Sequence, residues 1–122
     1  MITYRRAFDI EERLKQIVAE TGLFHVDLDR IRCVRSYGSS TRTTAARIHG
    51  ISKAFLTGFS MKPAYVIEFI AEIFDKLPSH EQDEVIIHEL LHIPKSFGGG
   101  LVPHGRINFD KETKVLKRML RK

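Results

Sequence analysis

Pro78-Ser79-His80-Glu81-Gln82-Asp83-Glu84-Val85-Ile86-Ile87-His88-Glu89-Leu90-Leu91-His92-Ile93-Pro94 is the stretch on which the reading of this chain turns. Ser79 reads as an N-cap, and Gln82 three residues on completes a capping box. Glu81, Asp83 and Glu84 put negative charge in the first turn, where the helix dipole favours it. Val85, Ile86, Ile87, Leu90 and Leu91 follow as a broad apolar stripe. Pro94 cannot continue a helix and pushes Ile93 toward extended backbone. The pattern predicts one helix from about residue 79 to about residue 93.

Near the end of that helix, His88-Glu89-Leu90-Leu91-His92 is an H-E-x-x-H sequence. Residues i and i+4 lie on one helix face, so two imidazoles there can close on one metal ion. Glu89, one residue round the turn, can then reach a water held at that ion. The pattern reads as two zinc ligands and the general base of a metallopeptidase. A purely solvent-facing role is the weaker reading, because the apolar stripe leaves only a narrow polar face.

A catalytic zinc takes a third protein ligand and keeps one position open. Downstream, Phe97-Gly98-Gly99-Gly100-Leu101-Val102-Pro103-His104-Gly105-Arg106 offers His104, behind a glycine run able to turn the chain back. Glu112, twenty residues after His92, is the competing ligand. Asp110-Lys111-Glu112 also suits the first turn of a last helix, which favours His104. His25, His49 and His80 lack comparable spacing and read as surface or hydrogen-bonded residues.

The run His88-Glu89-Leu90-Leu91-His92-Ile93-Pro94, with Phe97-Gly98-Gly99-Gly100 and Pro103-His104-Gly105, resembles the small metallopeptidases of archaea and phages. These are single-domain zincins akin to minigluzincins and selecase-type minimal peptidases. The likeness extends upstream through Cys33-Val34-Arg35-Ser36-Tyr37-Gly38-Ser39 and Tyr65-Val66-Ile67-Glu68, and so covers most of the chain. Minigluzincins take a glutamate as third ligand, which keeps Glu112 open. The H-x-x-G-x-x-H continuation of metzincins is missing, since Pro94 ends the helix early. His104-Gly105 with Phe109 behind it is also similar to the His-Gly…Phe element of SprT-like DNA-associated zinc proteases, the second enzyme reading. The resemblance implies an extended substrate laid against a sheet edge beside the helix, with residues 65–70 as that edge. It also implies a side chain steadying the oxyanion, for which Tyr37, Tyr65 and Arg106 are the candidates.

At 122 residues the chain is long enough for one domain, 1–122, with a single core. Met1-Ile2-Thr3-Tyr4-Arg5-Arg6 lacks the apolar region of a signal peptide, and no apolar run approaches a membrane span. The lone cysteine, Cys33, excludes an internal disulfide and suits a reducing cytoplasm, the expected location. A net charge of +5 raises the question of nucleic acid. Arg30, Arg32, Arg35, Arg42 and Arg47 flank Ser36-Tyr37-Gly38-Ser39-Ser40-Thr41, a loop able to hold an anion. A second basic group, Lys114 to Lys122, suits the end of a helix. With no recognisable nucleic-acid module, a solvated basic face is the preferred reading. A non-catalytic, zinc-stapled, nucleic-acid-associated domain stands as the non-enzyme alternative.

Coarse periodicity supplies the frame. Ile10, Leu14, Ile17 and Val18 predict a helix over 8–21, with Gly22 as its stop. Residues 30–35 alternate as a strand, and 65–70 form another, started by Pro63. Residues 45–55 are ambiguous and are read as a strand broken near Gly50. Val115, Leu116, Met119 and Leu120 define a short C-terminal helix. The expected fold is α+β: a minimal zincin-like domain with an N-terminal helix, a small mixed sheet, the H-E-x-x-H helix and a C-terminal helix. The expected partners are peptides or unfolded protein, with self-association across the short cleft a further expectation.

Overall fold

A computed structural model describes residues 1–121. Among these residues four strands and five α-helices follow in the order β1 (Thr3–Arg6), α1 (Phe8–Thr21), β2 (Ile31–Tyr37), β3 (Ala46–His49), α2 (Lys53–Gly58), β4 (Tyr65–Ile70), α3 (Ala71–Phe74), α4 (Ser79–Leu91) and α5 (Phe109–Lys117). The class is α+β, as expected. α1 has the predicted bounds because its inward residues Ile10, Leu14, Ile17, Val18 and Thr21 share one face. Gly22 stops it at φ 74°, a left-handed conformation that glycine adopts without a Cβ penalty.

The sheet is mixed, in the order β1-β2-β4-β3. β2 and β4 run parallel with Cys33 opposite Ile67, and β1 and β3 join antiparallel on the two outsides. This corrects the edge assignment. β4 lies between β2 and β3 and has no free edge, so β3 is the edge on that side. The near-continuous apolar run Tyr65-Val66-Ile67-Glu68-Phe69-Ile70, buried at all but Val66, is what an inner strand requires.

Ile31, Cys33, Ile67 and Phe69 form the sheet's core face, packed with Ile10, Leu14 and Ile17 of α1 and Ile86, Ile87 and Leu90 of α4. Cys33 is fully buried, and burial pushes its thiol up to about 12, which leaves it an inert core residue. α5 lies along α4 and packs Leu116 on the core, with Phe109 and Thr113 buried. Val115 and Met119, expected inside, face solvent instead.

Local expectations also change. The second half of 45–55 is not strand: Ser52 caps α2 by accepting the Phe55 N–H. Strand β1 carries no apolar alternation, with all four residues exposed, and only its pairing with β2 defines it. At α4 the cap is Pro78, and Ser79 is the first helical residue. Arg13 from α1 takes the groups assigned to a capping box: it donates to Gln82 Oε1 at 2.8 Å and to Ser79 Oγ at 3.0 Å.

Candidate metal centre

α4 buries Ile86, Ile87 and Leu90 against the sheet, which turns His88 and His92 toward the opposite side. Helix geometry ends at Leu91, and His92 is the C-cap residue. The chain then reverses through Phe97 at φ 49° and Gly99 at φ 99°. Gly98 and Gly100 do not take left-handed backbone. Tyr65, buried in β4, clips this turn: its hydroxyl accepts the Gly99 N–H and donates to the Gly100 carbonyl, both at 2.8 Å.

The returning chain is tied to the helix end at one residue. Val102 N–H donates to the His92 carbonyl at 2.7 Å, and His92 Nδ1 donates to the Val102 carbonyl at 2.6 Å. The second bond fixes the tautomer and leaves Nε2 as the free lone pair. Two residues later the chain delivers His104. The ligand nitrogens of His88, His92 and His104 all lie within 4.8 Å of one another. His88 Nε2 and His104 Nε2 are 3.1 Å apart. Tetrahedral zinc with bonds of 2.0–2.1 Å separates its nitrogens by about 3.3 Å, so the histidines are spaced as ligands of one ion.

Electrostatics agree with that fit. Burial, then the neighbouring imidazoles His92 and His104, hold the His88 pKa below the usual histidine value. Burial likewise lowers His92, outweighing the Val102 hydrogen bond. Neutral imidazole is the form that ligates metal. Phe109, at the start of α5, lies under the cluster, with its ring centroid 5.0 Å from His88, 4.5 Å from His92 and 5.1 Å from His104.

Glu89 is buried beside the cluster, and burial pushes its carboxyl up to about 7. It lines a cavity of about 430 Å³ with His88, His92, His104 and Leu101, walled on the far side by residues 44–48 along the edge strand β3. Glu112 is exposed in the first turn of α5 and lies outside the cluster. Asn108 caps that helix by accepting the Lys111 N–H. Among the three oxyanion candidates, Tyr65 is committed to the glycine turn. Tyr37 pairs with Thr3 at the end of β2, and Arg106 is exposed; neither lines the cavity. His25 Nε2 donates to the Ile93 carbonyl at 3.1 Å, and His49 Nε2 pairs with Glu68 Oε1 at 2.9 Å. The contribution of Val102 was invisible in sequence, because a backbone carbonyl leaves no residue signature. In sequence, Phe109 is marked only by its position behind His104-Gly105.

Fold and site together define a class: a small α+β protein with three histidines and a carboxylate converging in one cleft. The chain matches the model of the family described as "Putative phage metallopeptidase" over residues 2–121, and it belongs to that family. No curated protein and no solved structure matches the chain. Family and histidine cluster together point to a metal-dependent peptidase.

Proposed function

We propose that this protein is a zinc-dependent peptidase in which His88, His92 and His104 hold the metal and Glu89 is the general base. The observation that carries the proposal is the convergence of three imidazoles and a buried carboxylate on one open cavity. An all-histidine set suits zinc, and bound there it would supply Lewis-acid activation of water and of the peptide carbonyl. Glu89 accepts the proton of the attacking water and passes it to the departing amine. His92, locked by Val102, holds its ring in the ligating orientation.

Substrate lies extended along β3, whose free edge walls the cavity and offers backbone partners to a passing chain. Peptides and unfolded proteins fit that demand, and folded domains do not. A zinc staple would close its fourth position with another protein ligand, whereas this cluster faces the cavity.

The test compares four proteins, each measured for zinc content and for hydrolysis of extended peptides. Glu89→Ala keeps zinc and fold but loses hydrolysis by about a factor of 10² or more. His104→Ala loses zinc, and Glu112→Ala loses neither zinc nor activity. A chelator abolishes cleavage by the parent, and zinc restores it. Runs at several protein concentrations separate inactivity from a self-blocked oligomer. Cleavage by Glu89→Ala at the parent's rate sinks the proposal.

A further inference from the structure

Beyond His49 the edge strand leads into a second hollow. Residues 50–53 form one wall and residues 99–101 the other, enclosing about 320 Å³. Leu101 lines both this hollow and the metal cavity, so the two adjoin. A chain extended along β3 runs from one into the other, at about 3.3 Å per residue.

The walls are backbone and are held rigidly. A Cβ at Gly50 would collide with the Gly99 carbonyl oxygen, so the walls meet at glycine contact distance. Gly99 takes φ 99°, and the Tyr65 hydroxyl fixes it and Gly100 from beneath. Gly100 is different. Its backbone is not left-handed, and a Cβ added there would meet nothing within 4 Å. Neither strain nor crowding demands glycine at this position, so a side chain can be added to this lining residue of the hollow without disturbing the walls.

We infer that this hollow is a substrate subsite for one bulky apolar side chain, aliphatic or aromatic, of an extended peptide. Ile51, Leu101 and the glycine walls offer apolar surface, and Lys53 is the one formally charged residue in the lining. Lys53 therefore disfavours lysine or arginine at that substrate position, and its methylene stem adds apolar contact. The subsite rests on the peptidase assignment above, and it adds which residue of the peptide is selected.

Gly100→Leu fills the hollow from its open wall, and Gly100→Ala fills it partly. The experiment profiles cleavage sites of zinc-loaded parent and variants on a proteome-derived peptide library by mass spectrometry. The parent is expected to select bulky apolar residues and reject lysine and arginine at one fixed position from the scissile bond. Gly100→Leu shifts that position to glycine or alanine and lowers kcat/KM for the bulky peptide by about 10–200-fold, with Gly100→Ala between. Other positions and zinc content stay unchanged. An unaltered profile in both variants overturns the subsite while leaving the peptidase assignment standing. A second arm measures binding of the preferred peptide, or of a phenylalanine-rich extended peptide if the parent cleaves none, to the Glu89→Ala protein by titration calorimetry. Weaker binding on adding Gly100→Leu without any cleavage by the parent upholds the subsite and overturns the peptidase assignment. Equal binding with and without Gly100→Leu overturns the subsite. Circular dichroism of both variants excludes a folding defect, and Gly100→Ala carries the comparison if Gly100→Leu does not fold.

Discussion

Phe109 shows how much one side chain outside the H-E-x-x-H sequence can contribute. Its ring touches the level of all three imidazoles and is itself buried, so it both orients them and keeps water from their back faces. Groups supporting metal ligands typically contribute 10–100-fold in metal affinity. Phe109→Ala should weaken zinc binding by about that factor, read by competition with a chromogenic chelator. The truncation also removes core packing worth about 3–5 kcal/mol. Phe109→Leu, which keeps apolar cover but loses the ring plane, is the cleaner probe and should fall between parent and Phe109→Ala. Zinc affinity unchanged in a folded Phe109→Leu and Phe109→Ala pair would reduce Phe109 to packing alone.

Among the elements, the turn from α4 to α5 decides whether the site exists. It hangs on Tyr65 at Gly99 and Gly100, on Val102 at His92, and on the close approach of Gly50 to Gly99. Tyr65→Phe keeps the ring's edge contact with Phe97, 4.9 Å between centroids, and removes only the hydroxyl. The Gly99 N–H then loses its partner, at a cost of about 1–3 kcal/mol. Chemical denaturation should show that loss. Because His104 follows the same turn, zinc binding should weaken in parallel. A stability loss with full zinc affinity would mean that the turn holds its shape without Tyr65.

At the scale of the whole molecule, three of the arginines that flank the serine-rich loop, Arg30, Arg35 and Arg47, have partners within the chain. Arg35 pairs with Asp9 at 2.7 Å and with Asp75 at 3.2 Å, and Arg30 donates to the carbonyls of Lys62 and Pro63. The Gly38 N–H in the serine-rich loop donates to Glu72 at 2.8 Å, so that loop already holds one of the chain's own carboxylates. No helix among the described residues is long and apolar enough to cross a membrane. Glu68 fastens the edge strand from the centre of the sheet. It is 2% exposed, directly opposite Arg47, and bonded to His49. Burial alone would raise its carboxyl, but Ser36 of β2 and His49 and Arg47 of β3 outweigh it and hold the pKa below the usual glutamate value. A depressed folded pKa adds stability above the unfolded value of 4.5, and that stability fades as pH falls through the folded value. Glu68→Gln should therefore be least stable relative to the parent near neutral pH, with the gap closing in acid below about 4. Urea midpoints across that range check it, and a gap independent of pH would show that Glu68 acts by shape alone.

Sequence by itself determined the pieces whose signals are local. Helix α1 and its glycine stop, strands β2 and β4, and the ordering of two histidines and a glutamate at the end of α4 all follow from periodicity and backbone chemistry within a few turns. The place of Glu112 in the first turn of a last helix was also legible, because Asp110 and Glu112 suit a helix start. Only tertiary structure decided which strand is the edge. A near-continuous apolar run states that it is buried, but not which neighbours flank it, and pairing partners lie about 17 to 34 residues away. The same holds for the Tyr65 clip, the Val102 carbonyl, the Phe109 platform and the glycine-walled hollow. Each arises where segments distant in sequence meet, and a single residue carries no mark of the neighbour that folding brings to it.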